Sequence, residues 1–433
     1  MTQIALEFTN HGIVNDIGNW VTIAAMNFSH DVIVIGAGPG GSAAAHFLAQ
    51  RGARVLLLDK ATFPRDKTCG DGLTPRAVAM LEEMQLLDEL STAGQTIRQF
   101  EVIAPNRRAT SAPIPSRVGR SGQALVIPRF KLDERLLQRA VDSGADFRPG
   151  VHALSVAGDG RSAKVRIEHN GRQEDYEAPL AVVAVGANMR LLRESRILEH
   201  APETMLAGRA YFENLRGLSD AWQLRFDGVP LPGYGWIFPI SADAANIGAG
   251  FFRRRAGGAT DAFRGFIANP ALRPLLAGAR QVGPMKSYPL RADFTTSKTH
   301  APNVLLVGEA AGLVNPLTGE GIDYALESGR IAAQHAAAML AQNDFSEARR
   351  NAYDADLRTH FQSLFEFCIF VRDHLCDKAW LLNALVVIAN QRADLRLRLA
   401  EVVLGGRAIR GRLTAQRVLR SLLRRAAPDA QAK

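Results

Sequence analysis

The fold is decided by one stretch, Asp31-Val-Ile-Val-Ile-Gly36-Ala-Gly38-Pro-Gly-Gly41-Ser-Ala43-Ala-Ala-His-Phe-Leu-Ala-Gln-Arg51. Asp31 to Ile35 is short, apolar and β-branched, the pattern of a strand buried on both faces. The Ala-rich run that follows predicts a helix to about Arg51. Between them stands Gly36-x-Gly38-x-x-Gly41. Gly36 permits the tight turn, Gly38 lets the backbone approach a pyrophosphate, and Gly41 allows close helix–strand packing. The positive end of the helix favours the phosphate charge. A second strand, Val55 to Leu58, ends at Asp59, whose carboxylate can accept hydrogen bonds from a ribose. Strand, turn, helix and acid in this register predict a dinucleotide-binding unit.

Outward from this unit, Phe63 to Gly72 reads as a polar loop holding Cys69, and helical periodicity runs from Pro75 to Leu90. Val151 to Val185 reads as a three-stranded meander turning at Gly158-Asp159-Gly160 and Asn170-Gly171. Met205 to about Ala249 alternates and carries aromatics, as strands of a second sheet would. Val304 to Val307 is another buried strand, followed by a glycine-punctuated turn and a helix through Leu340. Ser346 to Leu423 reads as almost entirely helical. No internal repeat or low-complexity tract interrupts the chain.

The 433 residues suit two or three domains, and 47% hydrophobic with 22% charged residues is an ordinary globular balance. The longest mostly apolar runs, such as Leu381 to Ala389, fall far short of the roughly 20 residues that span a bilayer. Cys69, Cys368 and Cys376 cannot build a disulfide framework and have no metal-ligand spacing, so a reducing cytoplasm and no metal are expected. The net charge of +9 is concentrated: residues 392–433 hold eleven basic and three acidic residues. The remaining body is near neutral, which argues against nucleic acid as a partner. The first 25 residues carry Glu7 and Asp16 and no basic n-region, so residues 1–27 are expected to be an extension or a start-site artefact.

Downstream, Asn303-Val-Leu-Leu-Val-Gly308-Glu309-Ala310-Ala311-Gly312 leads into Asn315-Pro316-Leu317-Thr318-Gly319-Glu320-Gly321-Ile322. This resembles the second fingerprint of FAD oxidoreductases, in which the acid binds the ribityl chain and the glycine-lined helix start faces the isoalloxazine ring. Glu309 stands where aspartate is usual; being one methylene longer, it implies a strand set back slightly or a contact through water. Arg129, in Ile127-Pro128-Arg129-Phe130-Lys131-Leu132-Asp133, resembles the arginine that touches FAD in the same family, and an i, i+4 ion pair with Asp133 is compatible with that contact.

Two further segments narrow the resemblance. Phe63-Pro64-Arg65-Asp66-Lys67-Thr68-Cys69-Gly70-Asp71-Gly72-Leu73-Thr74-Pro75-Arg76 resembles the signature of the geranylgeranyl reductase family. Pro232-Gly233-Tyr234-Gly235-Trp236-Ile237-Phe238-Pro239 resembles that family's Tyr-x-Trp-x-Phe-Pro motif beside the substrate cavity. The match runs from about Asn27 to Leu340. It implies an α/β fold: a Rossmann-like FAD-binding domain (28–95, 125–200 and 296–342), an interleaved β-rich substrate domain (96–124 and 201–295) and a helical C-terminal region (343–433) with a basic tail. It implies reduction of C=C bonds in a polyprenyl substrate of geranylgeranyl or prenyl-quinone type by hydride transfer from reduced flavin.

The residues expected at FAD are Gly36, Gly38, Gly41, Ala43, Asp59, Cys69, Gly70, Gly72, Arg129, Glu309, Gly321 and Ile322. Tyr234, Trp236 and Cys69 are the candidates for catalytic or cavity-lining roles, with Phe238 continuing the aromatic row. Plain sheet core is the competing reading of that row, and a small packed thiol that of Cys69. Arg65 and Lys67 either steer a diphosphate headgroup or form a solvated loop face. The alternative function is an FAD-dependent monooxygenase or related flavoenzyme acting on a hydrophobic specialised metabolite. Against it, Gly186-Ala187-Asn188-Met189-Arg190-Leu191-Leu192 lacks the aspartate, second glycine and serine of the nicotinamide-docking motif of aromatic monooxygenases. Tyr234 and Phe238 depart from the Trp-x-Trp-x-Ile-Pro of halogenases, and three cysteines cannot hold the cluster of an iron–sulfur electron-transfer flavoprotein. The electron donor is left open among reduced ferredoxin, a nicotinamide or another reductant.

In the tail, Ile409, Leu413, Leu419, Leu422 and Leu423 fall roughly on one helical face, with Arg410, Arg417, Arg420 and Arg424 on the other. Such a helix either lies peripherally on the inner face of an anionic membrane or packs on the body with solvated arginines. Both readings stand.

Overall fold

The computed structural model describes residues 28–116, 122–252 and 258–404. The 1–27 extension and the amphipathic segment from Ile409 to Arg424 lie outside the described residues.

The stretch around Gly36 forms the centre of a six-stranded sheet. Its order is His300–Ala301, Val304–Leu306, Leu180–Val183, Val32–Ile35, Val55–Leu58 and Asp146–Arg148. All strands run parallel except the short His300–Ala301 edge. Val32, Val34, Leu57, Leu58, Val182 and Val183 are wholly buried because both faces of the sheet are covered. Helices Pro39–Ala49, Arg129–Asp142 and Ile322–Gln342 pack together on one side, and an antiparallel meander lies against the other. Each such buried aliphatic contributes about 1.5–3 kcal/mol of transfer free energy.

The meander consists of His152–Gly158, Ala163–His169 and Arg172–Ala178. Its second turn has Asn170 at φ 51° and Gly171 at φ 74°, the left-handed pair that a two-residue hairpin of matching twist needs. The expected meander ran on to Val185, and here the structure differs. Leu180–Val183 leaves it and inserts beside Val32–Ile35 in the parallel sheet. Its four consecutive buried apolar residues suit a strand covered on both faces, whereas the meander strand Ala163–His169 alternates buried and exposed. The helix expected from Pro75 to Leu90 is broken into Pro75–Glu83 and Leu87–Ala93 by Gln85 at φ 59°.

The second sheet has seven strands, in the order Arg280–Arg291, Thr204–Glu213, Ala245–Phe252, Gly233–Pro239, Trp222–Arg225, Gln99–Ile103 and Ala109–Pro113. One face is packed by helix Ala259–Ile267 through Phe263 and Phe266. The other presents Trp222, Tyr234, Trp236 and Phe238. Chain alternation puts those last three side chains together: they sit two residues apart on one strand. Helices Glu347–His374, Ala379–Gln391 and Ala393–Val403 complete the described chain, the last two resting against the Ala109–Pro113 strand.

Candidate active site

Between the two sheets lies a cavity of about 410 Å³. One end is the glycine turn. Gly36 has φ 103°, and a Cβ there would stand 2.5 Å from the Ala184 carbonyl oxygen, so only glycine fits. Asp59 does more than wait for a ribose. Its Oδ2 accepts the Ala37 N–H at 2.7 Å and its Oδ1 the Ala61 N–H at 2.8 Å, which ties the turn to the end of the second strand. Gly36, Gly38 and Asp59 line the cavity. Gly41 and Ala43 are not among its lining residues. Gly41 stands so close under the turn that a Cβ would come 1.7 Å from the Gly36 carbonyl oxygen, and Ala43 is packed against Gly329 of the long helix. Both shape the site without facing it.

Towards the other end come Cys69, Gly70, Gly72, Arg129, Glu309, Gly321 and Ile322, all lining the cavity. Arg129 makes the expected pair with Asp133, through Nε to Oδ1 at 2.6 Å and Nη2 to Oδ2 at 2.7 Å. Burial opposes its charge, but Asp133 beside it holds the guanidinium firmly protonated. Glu309 is enclosed, which pushes its carboxyl up, while Lys67, Arg129 and Arg291 pull it back towards the ionised form. Its Oε1 accepts the Arg291 N–H at 2.9 Å.

Neither headgroup candidate is a free solvated cation. Arg65 pairs with Asp133 at 3.0 Å, and Lys67 lies over the Tyr288 ring at 3.4 Å, where burial lowers its pKa. Lys67 therefore faces the cavity alongside Glu309.

Tyr234, Trp236 and Phe238 line the cavity together with the glycine-lined helix start. Their rings are 6.1 and 6.3 Å apart in sequence order. Gly248 on the neighbouring strand makes room for the indole, because a Cβ there would lie 2.1 Å from the Trp236 ring. The Tyr234 hydroxyl donates to the Thr318 carbonyl oxygen. Trp236 Nε1 donates to Asn246 Oδ1 at 2.9 Å.

Asn246 then binds the cysteine loop, its Nδ2 donating to the Cys69 carbonyl at 2.8 Å and to Asp71 Oδ2 at 2.9 Å. Tyr211 donates its hydroxyl to the same Asp71 oxygen at 2.6 Å. Full burial raises Asp71 to about 6 despite these donors. The Cys69 thiol is likewise pushed up by burial, with Arg129 opposing, so it is a neutral thiol and a poor nucleophile.

Asp71, Tyr211 and Asn246 were not among the expected site residues. Asp71 lies within the quoted signature, but its partners come from separate strands and carry no local signal. Glu320 was also missed as a site residue, although it lines the cavity between Gly319 and Gly321. Among the described residues no cluster of three or more His, Cys, Asp and Glu side chains could hold a metal ion.

The residues present fit FAD. A glycine cradle that admits no Cβ and a carboxylate at the strand end suit an adenosine pyrophosphate. A cavity walled by aromatics and a helix N-terminus suits a flavin ring.

A second, smaller cavity of about 110 Å³ adjoins the first and shares Met205, Tyr234 and Thr318 with it. Its lining is almost wholly apolar: Phe100, Ala112, Leu224 and Phe226 from the sheet, and Leu382, Val386 and Val403 from the C-terminal helices.

Comparison with known proteins agrees with this arrangement. Residues 29–221 match the FAD binding domain family. The chain is 37% identical over 335 residues to menaquinone reductase of Mycolicibacterium smegmatis, covering 71% of this chain and 76% of that protein. It is 30% identical over 362 residues to digeranylgeranylglycerophospholipid reductase 3 of Methanosphaera stadtmanae, covering 81% and 87%. Among solved structures, a geranylgeranyl bacteriochlorophyll reductase-like protein from Thermoplasma acidophilum superposes with a TM-score of 0.78 at 22% identity, over 91% of this chain and 98% of that one. The flavin-dependent brominase Bmp2 superposes at 0.74 with 19% identity, over 92% and 98%. These two likenesses speak to the fold.

Proposed function

The chain belongs to the geranylgeranyl reductase family of FAD-dependent oxidoreductases, and on that premise we propose that it saturates C=C bonds in the polyprenyl tail of a lipid-soluble quinone. The observation that carries this reading is the apolar second cavity, which adjoins the flavin cavity and shares Met205, Tyr234 and Thr318 with it. A polar metabolite would gain nothing from such a chamber. A prenyl tail threaded past Tyr234 would exchange water for Leu224, Phe226, Leu382 and Val386, at about 25 cal/mol for each Å² buried. Menaquinone reductases among the relatives favour a quinone as the head to which the tail is attached.

When bound, reduced FAD supplies the hydride. The chain's own residues do the rest. Gly36, Gly38 and Asp59 hold the dinucleotide, Arg129 and Glu309 hold the flavin end, and Cys69 with Gly70 and Gly72 covers it. Tyr234, Trp236 and Phe238 exclude water and press the alkene flat. An isolated alkene accepts hydride poorly, so enclosure and orientation matter more here than nucleophilic chemistry. In this scheme residues 28–95, 125–200 and 296–342 carry the cofactor, residues 96–124 and 201–295 the substrate, and the helices after 343 close the tail chamber.

The basic segment 392–433 is part of the same proposal: its positive surplus suits an anionic membrane surface where such a quinone resides. Among the described residues no helix is long and apolar enough to cross a membrane.

Graded tail length is the test. With dithionite-reduced protein, turnover should rise with the number of isoprene units until the chamber is full, and Val386→Phe should penalise long tails while sparing short ones. Rates indifferent to tail length in both proteins would contradict the reading.

A further inference from the structure

Two acids of the flavin cavity have no part in holding the cofactor, Asp66 and Glu320, and Asp66 is taken up by ion pairs with Arg209 at 2.7 Å and Lys286 at 2.6 Å. Glu320 lies between Gly319 and Gly321, directly before helix Ile322–Gln342, and lines the cavity. Among the described residues no side chain hydrogen-bonds or ion-pairs with its carboxyl. The titratable groups that face it are Asp323 in the first turn of the helix, Tyr234 on the aromatic strand and Cys69 in the covering loop. None of the three is a cation.

We propose that Glu320 is the proton donor of the saturation, its carboxyl lining the flavin cavity two residues from Thr318, which borders the tail chamber as well. This rests on the functional reading above.

The balance requires such a group. Turning C=C into CH–CH breaks one π bond and forms two C–H bonds. One carbon gains a hydride, by which the substrate takes up two electrons and reduced flavin is oxidised. The other carbon gains a proton, which leaves the Glu320 Oε–H bond and leaves a carboxylate for water to reprotonate.

Four other polar groups of the cavity are less suited. The Tyr234 hydroxyl is committed to the Thr318 carbonyl, and burial pushes it up. The Cys69 thiol is also pushed up. Burial pushes Glu309 up as well, but its Oε1 already accepts the Arg291 N–H at 2.9 Å and Lys67 beside it draws it back towards the ionised form. Arg129 keeps its proton.

Glu320 is different. Enclosure, with Asp323 as a like-charged neighbour, raises its carboxyl well above the ordinary carboxylate range. The helix N-terminus pulls the other way, but its reach is a single turn and its effect is smaller than that of burying a carboxyl without a cation. The shift is in the direction a donor needs, since a donor must carry its proton when substrate arrives.

Two readouts test this on the FAD-loaded full chain. Infrared spectroscopy of the oxidised protein at neutral pH should show a protonated-carboxyl C=O stretch that is absent in Glu320→Gln. In single turnovers of the dithionite-reduced protein with a prenylated quinone, Glu320→Gln should slow flavin reoxidation by about 100-fold or more. FAD affinity should be unchanged, and Glu320→Asp should restore part of the rate. The unaltered protein should lose rate as pH rises through the Glu320 titration, and Glu320→Gln should show no such limb. No neutral-carboxyl band, or a glutamine variant turning over near the wild-type rate, would overturn the assignment. Failure of the functional reading looks different: the unaltered protein would show the band yet saturate no prenyl chain, and the donor role would fall with it.

Discussion

Asp59 illustrates how much one side chain does in this site. Its two oxygens hold the backbone amides of Ala37 and Ala61, so the carboxylate fixes the glycine turn before any ribose reaches it. Hydrogen bonds to a charged acceptor are worth about 1.5–3 kcal/mol, so Asp59→Ala should weaken FAD binding roughly 10- to 100-fold, read by fluorescence titration of the apoprotein. Asp71 behaves oppositely. Burial raises it to about 6 from an ordinary value of 3.8, so the folded protein holds this proton after the unfolded chain has lost it. Stability contributed by Asp71 is therefore full below about pH 4 and falls as pH rises to about 6, by on the order of 3 kcal/mol. In Asp71→Asn that fall should vanish from the pH dependence of urea unfolding, and an unchanged slope would refute it. At this scale the sequence was readable where chemistry is local, as with Gly36, Gly38 and Asp59. It was silent on Asp71, Tyr211 and Asn246, because their hydrogen bonds join three segments that no spacing rule connects.

Elements buried on both faces were the most legible. Val32–Ile35 and Val55–Leu58 announce themselves by unbroken aliphatic runs, and the Asn170-Gly171 turn by its need for two left-handed residues. Arg280–Arg291 escaped notice for the converse reason. It is an edge strand, half of its residues exposed, and it carries Arg280, Gln281, Pro284 and Lys286, the composition that keeps an edge from pairing with other chains. The strand pair Gly233–Pro239 and Ala245–Phe252 supplies the element-scale prediction. Gly248 lies beneath the Trp236 ring with no space for a methyl group. Gly248→Ala should therefore displace the indole, cost about 1–3 kcal/mol in thermal unfolding, and alter tryptophan emission. A variant with unchanged melting and emission would mean that the pair tolerates a gap the structure does not show.

At the scale of the whole molecule, two sheets and a helical cover enclose two adjoining chambers, one suited to a dinucleotide and one to a hydrocarbon. The first was legible from two glycine motifs nearly 300 residues apart, because each is a local device for the same ligand. The second was not, since its walls come from the sheet, the Leu317–Thr318 turn and three C-terminal helices. The charge surplus of residues 392–433 also belongs to this scale. Replacing Arg410, Arg417, Arg420 and Arg424 with serine should reduce sedimentation with anionic vesicles, each charge being worth about 1 kcal/mol, and leave binding to neutral vesicles unchanged.

The central claim is that a flavin held in this cavity reduces a prenyl double bond. Its most direct test is anaerobic mass spectrometry of a prenylated quinone after mixing with the dithionite-reduced protein. A gain of two hydrogens per saturated bond is the predicted result. An unchanged mass without air, with a gain of one oxygen atom once air is admitted, would contradict it and make the protein an oxygenase built on a reductase fold.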